Sequence, residues 1–169
     1  FERPAEPGRP IGLYIHIPFC RKRCKFCYYK VYTDKRSGQV QRYLDAVVRE
    51  AALYARKKSV EGRPLRFVYF GGGTPSFISA KHLRTLVDGL RRELDWSAVE
   101  EVTFECEPGT LTEAKLRAIR EVGVTRLSLG IENFNDQILE ENGRAHTTRE
   151  VVRVEPWLRE INFDQLNID

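Results

Sequence analysis

The chain has 169 residues, 41% hydrophobic and 31% charged, with a formal net charge of +4. That length suits one ordinary domain, the apolar runs are too short to span a bilayer, and no secretory signal pattern opens the chain. A soluble protein in a reducing, cytoplasmic setting is the expectation, and so mild a charge does not by itself select a nucleic acid.

Phe1 to Pro10 carries three prolines and reads as a linker entering a domain over residues 11–169. With a methionine count of zero, it points to a piece of a longer protein. Leu13 to Ile17 is predicted as a first strand, and Cys20-Arg-Lys-Arg-Cys24-Lys-Phe-Cys27 follows closely. Val40, Tyr43, Leu44, Val47, Ala51 and Tyr54 fall on one face of a helix that ends in Arg56-Lys57-Lys58. Leu65 to Phe70 is a second strand, stopped by Gly71-Gly72-Gly73-Thr74-Pro75. Ser79 is the expected cap of a helix whose buried stripe is Leu83, Leu86, Val87, Leu90 and Leu94. Val102 to Cys106 is a third strand. Thr110-Leu-Thr-Glu113 reads as a capping box for a helix carrying Leu116, Ile119 and Val122 and stopping at Gly123. Arg126 to Ile131 is a fourth strand, followed by a short helix through Ile138 and Leu139 to Gly143. Thr147-Thr-Arg-Glu150 is a second capping box, leading a helix through Val151, Val154 and Leu158. Pro156 inside that helix predicts a kink, or a restart at Glu155. Asp164 to Asp169 begins a fifth strand.

Strands separated by helices of this length argue for an α/β fold with a parallel sheet and crossover helices. The unusual residues fall at carboxyl ends of strands: the cysteines, the triple glycine, Glu105 and Glu107, Glu132 and Asp169. Both a β/α barrel and an open doubly wound sheet place their ligands there. The pattern does not separate the two, and five strands complete neither.

Three cysteines so close together wrap around one small object, a metal or a cluster. A 4Fe-4S cube normally takes four cysteine thiolates, so three local ligands leave one iron open to a cofactor or substrate. Structural zinc usually shows two Cys-x-x-Cys pairs or a cysteine pair with a histidine pair; His16 and His146 keep it as the alternative. Disulfides fit poorly, because cysteines this close cannot all pair. Cys106, alone in an apolar run, reads as a small buried hydrophobe. Arg21, Lys22, Arg23 and Lys25 read first as a solvated loop, with a nucleic acid, a negative cluster or an anionic substrate as alternatives.

Cys20-x-x-x-Cys24-x-x-Cys27 after a strand resembles the cluster motif of the radical S-adenosylmethionine enzymes. Tyr14-Ile-His-Ile-Pro-Phe-Cys20, Phe70-Gly-Gly-Gly-Thr-Pro-Ser76, Phe104-Glu-x-x-Pro108, Arg126-x-Ser-Leu-Gly130 and Gly143-Arg144-Ala-His146 narrow it. Together they resemble the branch of oxygen-independent coproporphyrinogen III oxidases and their haem-chaperone relatives, from Leu13 to Asp169. The resemblance implies a partial (β/α) barrel of parallel strands, here truncated after the fifth. Cys20, Cys24 and Cys27 would hold a 4Fe-4S cluster, with S-adenosyl-L-methionine bound through its amine and carboxylate to the fourth iron. Phe26 resembles an aromatic that lies against the adenine, and Tyr14 a tyrosine at the cofactor site; packing is the alternative for both. Gly72, Gly73 and Thr74 match a loop whose bare backbone approaches the methionine end. Glu105 matches a carboxylate for the ribose hydroxyls, and Arg144 a guanidinium fork for the cofactor carboxylate. Asp169 matches the acid of an Asn-x-Asp element. A surface ion pair is the alternative for Arg144 and Asp169.

Two positions depart from the family pattern, which commonly has Gln at Glu132 and Asn at Glu107. Glu132 adds a negative charge unless it is protonated or paired, for example with Arg144. Both acids weigh against a propionate-rich porphyrinogen as substrate. Tyr28-Tyr29-Lys30 also lacks the extra cysteine common in the true oxidases.

The resemblance implies reductive cleavage of the cofactor to a 5′-deoxyadenosyl radical that abstracts a substrate hydrogen. The leading expectation is an oxidoreductase like coproporphyrinogen dehydrogenase, converting propionates to vinyl groups. Its expected partners are a small-molecule substrate such as a tetrapyrrole and a one-electron donor such as flavodoxin or ferredoxin, with no membrane or nucleic acid. A methyltransferase or cyclopropane-forming enzyme is the alternative within the family. A haem chaperone with His16, His82 or His146 as haem ligand, or a zinc-stabilised module, lies outside that chemistry.

Overall fold

The computed structural model describes residues 3–6 and 8–169; Phe1, Glu2 and Pro7 of the expected linker lie outside the described residues. Five strands, β1 (Ile11–Ile17), β2 (Leu65–Gly72), β3 (Glu101–Cys106), β4 (Arg126–Leu129) and β5 (Gln165–Ile168), alternate with helices. These are α1 (Ser37–Ala55), α2 (Ala80–Glu93), α3 (Glu113–Glu121), α4 (Asp136–Glu141) and α5 (Thr148–Ile161). Every neighbouring strand pair is parallel, and the order in the sheet is the order in the chain. Unidirectional addition of strands has no switch point, which is the arrangement of a barrel segment rather than a doubly wound sheet.

The register explains the core. Ile15, Phe70, Phe104 and Leu127 align across four strands as one row, and each is at most 2% exposed. They pack with Leu44, Leu83, Leu86, Leu90, Leu116, Ile119 and Val154 of the helices, and each such side chain contributes about 1.5–3 kcal/mol by leaving water. The next row, Tyr14, Tyr69, Thr103 and Arg126, projects to the opposite face because side chains alternate along a strand. That face carries the polar residues. The apolar row holds the sheet to its helices and leaves the other face free for chemistry.

Local details correct three expectations. Thr112, not Thr110, caps α3 by accepting from the Lys115 amide; Thr110 lies in a 3-10 turn started by Pro108, and its hydroxyl is engaged by Ser76 and the Glu107 carbonyl. β4 stops at Leu129, where Ile131 turns back on the Leu129 carbonyl and Glu132 takes a left-handed φ of 68°. The helix carrying Pro156 does not restart at Glu155 but runs through to Ile161, with the Thr147–Glu150 capping box formed as expected. Among the described residues no helix is long and apolar enough to cross a membrane.

Candidate cofactor site at the carboxyl ends of the strands

The cysteine loop is closed by backbone bonds. Tyr32 donates to the Pro18 carbonyl at 2.8 Å, and Cys20 donates to the Tyr32 carbonyl at 3.1 Å. The amides of Gly73 and Thr74 donate to Ile17 and Phe19, and Lys25 donates to Asn142 at the end of α4. The sheet edge, the glycine turn and α4 therefore all hold one loop. Its three thiols are reduced, with Cys20 buried and Cys24 and Cys27 partly exposed. They line a cavity of ≈ 240 Å³ together with Phe26, Tyr28, Gly72, Thr74 and Arg144.

Thr74 Oγ1 donates to Cys20 Sγ at 3.3 Å, and Arg144 Nη1 donates to Cys24 Sγ at 3.4 Å. Burial pushes the Cys20 thiol up; the Thr74 hydroxyl opposes this, and Cys27, Cys24 and Glu107 add to it. A bound cation reverses that balance, because a coordinating thiol is deprotonated. Zinc at about 2.3 Å from each sulfur would draw the thiolates to about 3.8 Å apart. Among the described residues no three His, Cys, Asp or Glu side chains converge as such a site requires. His146 is also committed: it is 2% exposed, with Nε2 3.1 Å from the Ile131 carbonyl and Nδ1 3.3 Å from Glu107 Oε1. Three thiols lining one cavity are the donor set of an iron–sulfur cube with one iron left to an outside ligand.

A second cavity, ≈ 190 Å³, adjoins the first, and both are lined by Gly73, Thr74, Glu107, Glu132 and Arg144. It adds Glu105, Ser128 and Asp169. Glu105 accepts from the Tyr69 hydroxyl at 2.6 Å and from the Gly72 amide at 3.2 Å. Burial pushes its carboxyl up against those two bonds, with Asp169 adding to the rise. Asp169 accepts from Ser128 and Asn167 at 3.1 and 2.8 Å. Arg144 donates to the Gly130 carbonyl and lies 3.7 Å from Glu132 Oε1, the pairing considered above. Its Nε is buried without a hydrogen-bond partner.

Of the expected residues, Cys20, Cys24, Cys27, Phe26 and Gly72 meet in the first cavity, and Glu105 and Asp169 in the second. Gly73, Thr74, Glu132 and Arg144 bridge them. Tyr14 stands apart, in a groove with Tyr29, Phe67, Tyr69 and Glu105, where it stacks on Tyr69 with ring centroids 5.9 Å apart. The glycines allow close approach of the protein to itself. Gly72 has φ 112°, and a Cβ there would lie 2.6 Å from the His16 ring. A Cβ on Gly73 would lie 2.9 Å from Cys20 Sγ.

Sequence reasoning missed Arg21. It is no free solvated side chain: it donates to the carbonyls of Gly109 and Ala145 and pairs with Glu107 and Glu150. Burial alone would raise Glu107, but the His146 ring, the Gly109 amide and Arg21 outweigh it and hold the carboxyl below the ordinary carboxylate range. The unexpected acid at position 107 is thus neutralised within the protein. Its charged partner Arg21 and its neighbour His146 lie far along the chain, and no local spacing signals them.

The family model of the Radical SAM superfamily matches residues 14–169. A heme chaperone HemW from Lactococcus lactis is 34% identical over 163 residues, covering 95% of this chain and 41% of its own. The oxygen-independent coproporphyrinogen III oxidase of Synechocystis is 31% identical over 160 residues, covering 95% of this chain and 34% of its own. The solved coproporphyrinogen III oxidase HemN from Escherichia coli, described as a radical SAM enzyme, superposes with a TM-score of 0.87 at 31% identity, over 97% of this chain and 37% of that one. The chain thus spans about two fifths of these relatives' length or less. The cofactors of the matched family are a 4Fe-4S cluster and S-adenosylmethionine, and the donor set above suits both. By its motifs, its sheet and its matched length, this chain belongs to the Radical SAM superfamily.

Proposed function

We propose that this chain is the cofactor-binding core of a radical S-adenosylmethionine oxidoreductase acting on a tetrapyrrole-related small molecule. The observation that carries this reading is the shared wall: the thiol cavity and the polar cleft lie side by side, both lined by Gly73, Thr74, Glu107, Glu132 and Arg144. Cys20, Cys24 and Cys27 would hold the cluster, and Gly73, Thr74, Glu105, Glu132, Arg144 and Asp169 would hold the cofactor. Bound there, the pair supplies one-electron cleavage of the sulfonium and removal of a substrate hydrogen.

The protein's own share is binding, orientation and exclusion of water. The Arg144 guanidinium, with its Nε unpartnered, faces a carboxylate. Glu105 keeps lone pairs for ribose hydroxyls after accepting from Tyr69 and Gly72, since a carboxylate has about four acceptor sites. Asp169 extends the same acidic wall. Phe26, 55% exposed beside the thiols, offers a flat face to an adenine. The solvent-facing cysteine loop admits a one-electron donor of the flavodoxin or ferredoxin kind.

A haem-chaperone role is the second reading, favoured by the HemW relatives. Among the described residues, however, none of the histidines is fully exposed: His146 is buried, while His16 and His82 are partly covered. This core is better furnished for S-adenosylmethionine than for haem ligation. The test uses the full-length protein, reconstituted anaerobically with iron and sulfide, reduced with dithionite and given S-adenosylmethionine. 5′-Deoxyadenosine, measured by mass spectrometry and abolished by Cys24→Ala, is the expected product. Added S-adenosylhomocysteine would indicate methyl transfer. A protein with an intact cluster that binds haem stoichiometrically without cleaving the cofactor would establish the chaperone, and failure to assemble any cluster would overturn the reading.

A further inference from the structure

Arg21 follows directly on Cys20, the most buried of the three cysteines, and leaves the loop to reach three other parts of the fold. Nη1 donates to the Gly109 carbonyl at 2.9 Å, in the turn after β3. Nη2 donates to the Ala145 carbonyl, beside Arg144. Nε lies 3.5 Å from Glu107 Oε2 and Nη1 3.6 Å from Glu150 Oε1, in the capping box of α5. Glu107 is itself held by the Gly109 amide at 2.9 Å and faces His146 at 3.3 Å. The slot is shaped for a guanidinium: a Cβ on Gly109 would lie 2.5 Å from Arg21 Nη2 and 2.8 Å from its Cζ. Planar charge, two carbonyls, a nearly buried carboxylate and a missing side chain meet at one point.

We infer that Arg21, seated over Gly109 and paired with the buried Glu107, is a positioning residue that locks the cysteine loop around its cluster. The inference rests on the reading of Cys20, Cys24 and Cys27 as cluster ligands. Without the clamp, the Cys20 side of the loop keeps its backbone bonds to Tyr32, Gly73 and Thr74 and the bond from the Thr74 hydroxyl to Cys20 Sγ, but loses its tie to the β3 turn and to α5. The carboxylate at position 107, out of place beside a cofactor, thereby acquires a role: it anchors the arginine that pins the loop. Lysine cannot substitute fully, because an ammonium lacks the fork that spans two carbonyls and a carboxylate.

The test measures iron release to a colorimetric ferrous chelator from the anaerobically loaded full-length protein, together with thermal unfolding of the metal-free form. Arg21→Ala is expected to speed release by at least about tenfold, the scale of one charge-assisted contact, with Glu107→Gln acting in the same direction and Arg21→Lys falling between Arg21→Ala and the wild type. Gly109→Ala keeps both charges and displaces only the end of a flexible side chain, so it folds and is expected to match Arg21→Ala. The Arg21→Ala, Gly109→Ala double variant is expected to release iron no faster than Arg21→Ala alone, since both remove one contact. Release within twofold of wild type in the single variants would overturn the inference. So would an equal loss of stability in the metal-free protein, which would make the contact a general brace. A wild-type protein that takes up no cluster would instead overturn the assignment of the cysteines, and the inference with it.

Discussion

At the scale of single residues, the site is set by where side chains are missing as much as by where they are present. Gly72 combines a φ of 112° with a His16 ring 2.6 Å from the place of a Cβ. Gly72→Ala is therefore expected to lower unfolding free energy by about 1–3 kcal/mol, checked by chemical denaturation of the metal-free protein; a neutral result would mean that the turn and His16 relax together. Glu105 gives a pH signature. Burial raises its pKa, so the folded chain holds that proton more tightly than the unfolded chain, and unfolding releases it. Its contribution is full below the ordinary value of 4.5 and is lost as pH rises through the raised value. The wild-type-minus-Glu105→Gln difference in stability should fall across that window and be level on either side. The cysteines were legible because their spacing is local and chemically restrictive. Arg21 was not: its carbonyl partners lie 88 and 124 residues away along the chain, and one arginine among four basic residues gives no hint of a slot at Gly109.

At the scale of elements, helix starts were readable where the local pattern singled out one cap and misread where a turn upstream decided between two. Ser79 caps its helix as expected, and Thr147 was picked out from Thr148 by the Glu150 that completes its capping box. Thr110 and Thr112 both precede Glu113, and Pro108 decided between them by starting a 3-10 turn that takes in Thr110. Thr112→Ala is expected to cost about 1 kcal/mol, seen as a lowered denaturation midpoint with an unchanged denaturant slope; no change would return the cap to another residue. At Pro156 a kink or a restart at Glu155 was expected; α5 does not restart but runs on from Thr148 to Ile161. Val151, Val154 and Leu158, on either side of the proline, are all buried, and that anchored apolar stripe outweighs the one backbone bond that proline lacks. Local propensity gave way to packing.

At the scale of the whole molecule, the alternation of strand and helix made the parallel sheet legible, but not its order. Whether each new strand joins on the same side is decided by three-dimensional packing, which leaves no period in the sequence; the order observed, each strand beside its predecessor, makes this a barrel segment. The same long reach governs the site. The cysteine loop near one end of the chain is fastened by Asn142, Arg144 and Ala145 near the other. On a ribosome adding about 5–20 residues per second, the cysteines emerge roughly ten seconds before those fasteners. A cluster delivered to the nascent chain would meet thiols without their guanidinium partners. Delivery after residue 145 has emerged would meet the loop with those contacts formed, so a nascent chain stalled short of residue 142 is expected to hold iron less well than one released from the ribosome, measured by iron content after anaerobic loading of the two.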